Sequence, residues 1–575
     1  MMSLKLRSRA RPPNAPAGVE PAQRIRQHLW PAATGLVLGL LALGPALGRG
    51  FVLSYDMVFV PAPRVGFADL GSGGGPPRAV PSDLVVALAA RIVPAELVEK
   101  LLLIAIFVLA CSGAAALLAA GWPETSARRG LPLTARLAAG ICYAWNPFVA
   151  ERLIMGQWAM LLGYAGLPWV LREIRVREGR ISQWRLLAAI VPAAVGGFAA
   201  MSITALAAIP VALFSGRPGN DRARRLMRTL AVLAAGSLPW MIPSLLYPVH
   251  SDPAGAAVFA ARADTPFGAF GSLLMLGGIW NAQAVPAGYG GAASACWLAV
   301  VGLAGAGYVI AARGRRVCPG VGIAAVAGLC VAALGLTGPT QAALRAAIAF
   351  WPGFALLRDG QQFVAPVAVT LSVGLGAGVG ALIAAARDPG STRVVRGGRP
   401  AAGPAALIGV LALAAPLVAL PGLAWGAAGR LHAVQYPADW LKARQLIEDD
   451  RHAGSILLLP WAEYRRYPWN HHEAVFDPWP RFTARPMIWN DALAVGRVTV
   501  AAESERARQF GPLISSGRPL TGPLTAAGVR YVIIDSGALL RRDRESPARL
   551  ADLARLPGAR VVLASPDLLV IRLPG

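Results

Sequence analysis

The chain has 575 residues, with 55 Lys and Arg against 30 Asp and Glu, a formal net charge of +25. Charged residues make up only 15%, hydrophobic residues 55%, and the mean hydropathy is +0.52; a soluble protein carries about 25% charge and about 45–50% apolar residues. That balance excludes a soluble enzyme and a disordered chain, and leaves a polytopic membrane protein with room for one soluble domain.

An isoelectric point near 11.2 raises nucleic acid as a partner, so the position of the charges matters. Almost all the cations are Arg, with Lys only at Lys5, Lys100 and Lys442. Cys111, Cys142, Cys296 and Cys330 fall in apolar stretches and Cys318 in a short Arg-rich loop. An odd number of cysteines without a CxxC pair argues against both a disulfide framework and a zinc site.

Residues 1–28 are rich in Arg and Pro, and 29–48 form an apolar stretch long enough to be a retained membrane helix rather than a signal peptide. Further apolar segments centre on 101–121, 133–146, 158–171, 186–200, 203–215, 229–247, 291–312, 319–337, 364–386 and 403–425. The count is about eleven spans, with Met201-Ser202-Ile203-Thr204 as the hinge between the two inside 186–215. Residues 82–100 read as an amphipathic interfacial helix broken at Pro94, and 340–352 look similar.

With the N-terminus inside, the cytoplasmic connectors hold 26 basic and 6 acidic residues, whereas the exoplasmic connectors hold 9 of each. This asymmetry follows the positive-inside rule and was not used to place the spans. Orientation therefore explains the charge, and nucleic acid drops out as a partner. The assignment leaves no charge inside a span, which weighs against an ion-driven carrier. An odd number of spans sends residues 426–575 outside. There, a helix from about Pro437 to Asp450 and strands at 455–459, 529–535 and 560–573 read as a small α/β domain.

Three polar constellations fall on the outer face. The first loop carries Tyr55-Asp56, with Asp69 further on. A carboxylate there suits a general base acting on an acceptor hydroxyl; the bland reading is a solvated loop acid or a partner for Arg64. The second runs from Trp145-Asn146-Pro147 through Glu151-Arg152 to Gln157-Trp158. In it Arg152 suits a donor phosphate and Asn146 or Gln157 a sugar hydroxyl, against the alternative of an interfacial ion pair with Trp anchors. The third is Arg358-Asp359-Gly360-Gln361-Gln362, a second phosphate clamp or a salt-bridged cap. In the tail, Trp461, Tyr464, Tyr467, Trp469, Trp479 and Trp489 suit either sugar stacking or a domain core. His471-His472 are adjacent rather than at metal spacing.

The segments NPFVAERLIMGQWAMLLGYAGLPW (146–169), LLRDGQQF (356–363) and the tail motifs YPADWLKAR, LLLPW, YPWN and GVRYVIID resemble those of GT-C superfamily membrane glycosyltransferases, among them actinobacterial arabinofuranosyl- and mannosyltransferases. The resemblance implies a GT-C-like α-helical membrane domain over 29–425, preceded by a cytoplasmic segment at 1–28 and followed by an exoplasmic α/β domain at 426–575. It also implies inverting transfer at the outer face of the plasma membrane, from a polyprenyl-phosphate sugar to a cell-envelope glycan or glycolipid, with membrane lipids as the surroundings. Asp56 takes the place of the family's first-loop acid, where many members have two adjacent acids and this chain has Tyr55-Asp56. Tyr55, Asp69, Asn146, Glu151, Arg152, Gln157, Trp158, Arg358, Asp359 and Gln362 carry over as substrate-binding candidates. No metal ligands are assigned, and a role for Mg or Mn stays open. The alternative is a lipid-linked glycan translocase, or a non-catalytic assembly partner that keeps the GT-C shell.

Overall fold

A computed structural model describes residues 21–66, 79–122, 130–175, 182–216, 218–247, 251–387, 403–495, 498–516, 519–535, 537 and 558–574. Asp69 lies outside them. The membrane part contains α1 (Pro21–Leu43), α2 (Ser82–Ala89), α3 (Ala95–Ala120), α4 (Leu133–Ala144), α5 (Pro147–Ile154), α6 (Trp158–Arg175), α7 (Gln183–Val195), α8 (Gly197–Phe214) and α9 (Asn220–Leu246). It continues with α10 (Gly255–Val258), α11 (Gly268–Leu274), α12 (Ala292–Arg313), α13 (Pro319–Ala332), α14 (Gly338–Phe350), α15 (Ala365–Ala386) and α16 (Gly403–Ala419). Among the described residues, six helices are long and apolar enough to cross a bilayer, or eight if two bent pairs each count as one span. The segments at 133–146, 158–171 and 186–200 hold the helices α4, α6 and α7, of 12, 18 and 13 residues. The first and last are short for a span, and α6 carries charge in its last turn.

Two boundaries differ from the sequence expectation. The break at Pro94 is real, but the residues after it belong to the long α3, which Pro94 caps from just outside the first turn, where its missing N–H costs nothing. Glu99 and Lys100 thereby become buried residues of a long helix. The hinge between α7 and α8 is Gly196-Gly197 rather than 201–204, because Gly197 adopts φ +74, which glycine alone enters cheaply. The segment 338–350 is helical as expected, turned by 92° from 319–335.

Glycine sets the helix spacing. α12 packs on α15 at Gly307, Gly374 and Gly378. A Cβ at Gly374 would stand 2.0 Å from Ala304 O, and one at Gly307 would stand 2.1 Å from Gly374 O. Between membrane helices, where apolar burial does not distinguish lipid from protein, such close backbone approach drives association.

The tail begins after a left-handed turn at 425–428. β1 (Phe51–Val52) in the first outer loop pairs with β2 (Ala433–Val434), tying the two ends of the membrane part together. Then follow α17 (Ala438–Asp449), β3 (Ser455–Leu459), a hairpin of β4 (Tyr464–Arg466) and β5 (Ala474–Phe476), α18 (Trp479–Phe482), β6 (Met487–Ile488), and a hairpin of β7 (Leu493–Val495) and β8 (Val498–Val500). After these come α19 (Glu505–Ser516), α20 (Thr521–Ala526), β9 (Val529–Asp535), β10 (Arg560–Ala564) and β11 (Leu568–Arg572). The main sheet has the order β10-β11-β9-β3-β6, with β3 parallel to both β9 and β6. The period of two divides its faces. Ile456, Leu458, Tyr531 and Ile533 join the core that continues into the membrane helices, while Leu457, Leu459, Val532 and Ile534 pack with Phe510 and Ile514 of α19.

Gly374→Val is expected to lower stability by about 1–3 kcal/mol through overpacking of the α12–α15 crossing. Gly305→Ala, on α12 with nothing within 4 Å of its Cβ position, is expected to be neutral or slightly stabilising. Thermal unfolding of the two purified variants in detergent checks both.

Candidate functional site

Every residue of α5 is buried, so its polar groups need protein partners. Asn146 caps the helix: Oδ1 accepts from Val149 N at 3.1 Å, and Nδ2 donates to Cys142 O, Tyr143 O and Tyr164 Oη. Its acceptor and donors are spent on the scaffold.

Arg152 is fully buried. Its Nη1 donates to Gln157 Oε1 at 2.9 Å and pairs with Asp359 Oδ2 at 3.1 Å, and the guanidinium stands over the Phe148 ring. Nε and Nη2 of Arg152 and Oδ1 of Asp359 are buried without a hydrogen-bond partner among the described residues. Each such group costs about 1–3 kcal/mol. The neighbouring Arg358 reaches the tail, where Nη2 meets Glu503 Oε1 at 2.9 Å, and it stands over Phe259. Gln362 is occupied locally, donating to Leu356 O. Glu151 faces Asp264 across Gly277, where a Cβ would collide with both carboxyls. Burial first, and then the facing Asp264, push the Glu151 carboxyl well above the usual carboxylate range.

The first loop joins this cluster from the other side of the α5 C-terminus. Ser54 Oγ donates to Ile154 O and Asp56 N to Met155 O, and Gly156 at φ +71 admits no Cβ between Ser54 and Met57. Asp56 is half-buried, and its Oδ1 accepts from Tyr464 Oη at 2.6 Å. Tyr55 is held at φ +44, with N bonded to Ala474 O and Oη donated to Gln283 Oε1. Arg64 pairs with Glu448 instead of Asp56. The loop acid is thus fixed between α5 and the tail domain.

The structure brings together Arg152, Gln157 and Asp359, with Glu151 and Arg358 at the flanks and Asp56 and Tyr55 across the α5 end. Trp158 turns away to pack on Phe59 at 5.1 Å between ring centroids. There it lines a cavity of about 480 Å³ that Asp56, Arg152 and Arg358 do not line. Sequence reading missed Asp264, Gln283 and Glu503. The one local signal was Asp264, an acid in a loop almost empty of charge. No group of three or more His, Cys, Asp or Glu stands at metal-binding spacing among the described residues.

Of the tail aromatics, Tyr467 and Trp479 are buried in a stack with Trp440 and Trp469. They form a core rather than a sugar platform. Trp489 instead is half-buried on the cavity wall, and Tyr464 lies at Asp56.

No protein-family model and no curated protein sequence matches the chain. Among solved structures, the cryo-EM structure of the arabinofuranosyltransferase AftD from Mycobacteria is similar over 96% of this chain, with a TM-score of 0.56 and 18% identity. A point-mutant form of the same protein gives 0.57 over 95% at 16% identity. This chain covers 40% and 41% of those two chains. ArnT from Cupriavidus metallidurans, bound to undecaprenyl phosphate, covers 94% of this chain and 97% of its own at 13% identity, but a TM-score of 0.41 is too low to bear on the fold. The AftD likeness shows the fold alone: a helical bundle with apolar spanning helices and a small C-terminal sheet domain, as in that structure.

A carboxyl whose folded pKa is raised adds stability at low pH and loses it as pH climbs through the folded value. For Glu151 that stability is present below its unfolded value of about 4.3. The melting temperature of the wild type is therefore expected to fall from weakly acidic to alkaline pH, and Glu151→Gln to flatten that fall. An unchanged profile in the variant would show that another group titrates.

Proposed function

We propose that the protein transfers a sugar from a polyprenyl-phosphate donor to an envelope glycan or glycolipid on the outer face of the plasma membrane. In this reading the N-terminus is cytoplasmic and residues 426–575 are exoplasmic, which needs an odd number of spans, as α4, α6 and α7 crossing together with the eight would give, and it is the orientation that the Arg excess of the intervening connectors favours. The observation that carries the proposal is Arg152. A fully buried guanidinium with two unmatched donors, beside an Asp359 oxygen in the same condition, is costly unless a ligand completes it. A lipid-linked phosphate supplies the oxygens those donors lack.

The chemistry is inverting. Asp56 takes the proton of an acceptor hydroxyl as that oxygen attacks the anomeric carbon, and the electron pair of the breaking C–O bond leaves with the lipid phosphate. Tyr464, donating to Asp56, aims the carboxylate. Arg152 meets the charge that grows on the leaving phosphate, while Gln157 and Asp359 hold the guanidinium in place. Arg358, bound to Glu503, fixes the Asp359 segment against the tail. Glu151, Tyr55 and Gln362 shape the surroundings.

A second reading, a non-catalytic partner or lipid-linked glycan translocase with a GT-C shell, is favoured by one observation: the 480 Å³ cavity is lined by none of the three charged candidates. Transfer from labelled polyprenyl-phosphate arabinose or hexose by the purified, reconstituted protein separates the two. Asp56→Asn is expected to slow transfer by about 10²–10⁴-fold, with unfolding unchanged. Full activity in that variant would remove Asp56 as the base, and no transfer by the wild type with any donor would favour the second reading.

A further inference from the structure

The cavity beside the first loop is unlike the Arg152 cluster in both charge and lining. Its walls come from the first loop, α2, the start of α6, the end of α9 and the tail. Four of the lining residues are arginines (Arg64, Arg481, Arg485 and Arg506), whereas the one carboxylate among them is Asp83.

The four cations are not equally matched. Arg481 is paired with Asp83 at 2.6 Å, and Arg64 with Glu448 at 3.1 Å. Arg485 is tied to backbone instead, donating to Ile447 O, His452 O and Asp450 O around the end of α17. Three of its five N–H groups are so used, and they hold the guanidinium rigid without neutralising it. Arg506 is exposed on the first turn of α19 and has no carboxylate partner among the described residues. The cavity thus carries a net positive field on low-dielectric walls, which concentrates anions.

The remaining wall is aromatic and apolar. Phe59 and Trp158 pack together on one side, and Trp489 and Tyr247 come from the tail and from the chain just past α9. Flat apolar faces beside fixed cations suit a ring with one apolar face and one charged substituent. A volume of about 480 Å³ lies within the usual range for a small-molecule site of about 300–1,000 Å³.

We propose that this cavity binds a carbohydrate bearing a negative charge, a sugar carboxylate or sugar phosphate, free or carried on a lipid. The sugar face rests on Phe59, Trp158 or Trp489, and its anionic substituent lies toward Arg485 and Arg506. That this ligand is the acceptor rests on the transferase reading; that it binds does not.

The test uses full-length protein in phosphatidylcholine nanodiscs, with calorimetry and tryptophan fluorescence as readouts. Glucuronate and glucose 1-phosphate are expected to bind at least tenfold more tightly than glucose, with affinity falling as salt rises. Arg506→Glu, on an exposed position that leaves the fold intact, is expected to cut that affinity at least tenfold, and Trp489→Ala to weaken it for acidic and neutral sugars alike. Displacement of glucuronate by glucuronosyl diacylglycerol in the nanodisc assigns a lipid-borne ligand, and free binding without displacement assigns a soluble one. Equal binding of glucose, indifference to Arg506→Glu, or no binding of any probe would overturn the proposal. Asp56→Asn should bind the probes normally, so a failure of transfer and a failure of binding are told apart.

Discussion

The backbone of the first outer loop is the element on which the rest depends. Residues 50–60 hold only a two-residue strand and a tight turn closed between Ser54 and Met57, with Tyr55 at φ +44, yet they are almost wholly buried, so most of their peptide groups must find partners elsewhere. They find them in three separate places. The head of α3 supplies Glu96 to Gly50 N, Glu99 to Val52 N and Lys100 to Gly50 O. The end of α5 supplies Ile154 O and Met155 O. The tail supplies Ala474 O to Tyr55 N, Asn470 to Leu53 O and Tyr436 to Phe59 O. One buried strand of chain thereby locks the membrane helices and the tail domain to each other, and Asp56 inherits its position from that lock.

The ion pairs repeat the same logic. Arg358–Glu503, Asp83–Arg481 and Arg64–Glu448 each join a residue of the outer connectors to one of the tail. The nine acids and nine bases assigned to those connectors therefore do more than balance in charge. Several of them form the attachment of one domain to the other. Arg152–Asp359 differs, since both partners belong to the membrane part and both keep unmatched atoms.

Much of the fold could be read in the sequence, because its signals are local. Apolar runs gave the positions of the membrane helices, and short β-branched runs gave β3, β9 and the β10–β11 hairpin within a residue or two. The misses have a common cause. The hinge at Gly196-Gly197 depends on a backbone angle, and the role of Pro94 on where a helix chooses to start. Asp264, Gln283 and Glu503 acquire their meaning from partners far away in the sequence. Arg358 meets Glu503 across 145 positions and Tyr55 meets Gln283 across 228. No periodicity announces such pairs. Arg152 and Asp56 were legible as isolated polar residues at the outer face, but the partners that hold them were not.

The same loop also relates the two sites to each other. Asp56 leans on Tyr464 and the α5 end, while Phe59, three positions on, forms part of the cavity wall. Three residues of extended chain span at most about 10 Å, so a ring resting on Phe59 lies within roughly the length of a disaccharide of the Asp56 backbone. Side chains link the two: Arg481, on the cavity wall, lies over Phe476, whose ring meets Tyr464 at 5.9 Å. A rotamer change at Tyr464 or Phe476 is a smaller event than a domain movement, and it is the step by which a sugar held in the cavity would present a hydroxyl to the loop acid. On the proposed transferase reading, the separation of cavity and charge cluster would let two substrates approach Asp56 from opposite sides, with the buried loop between them.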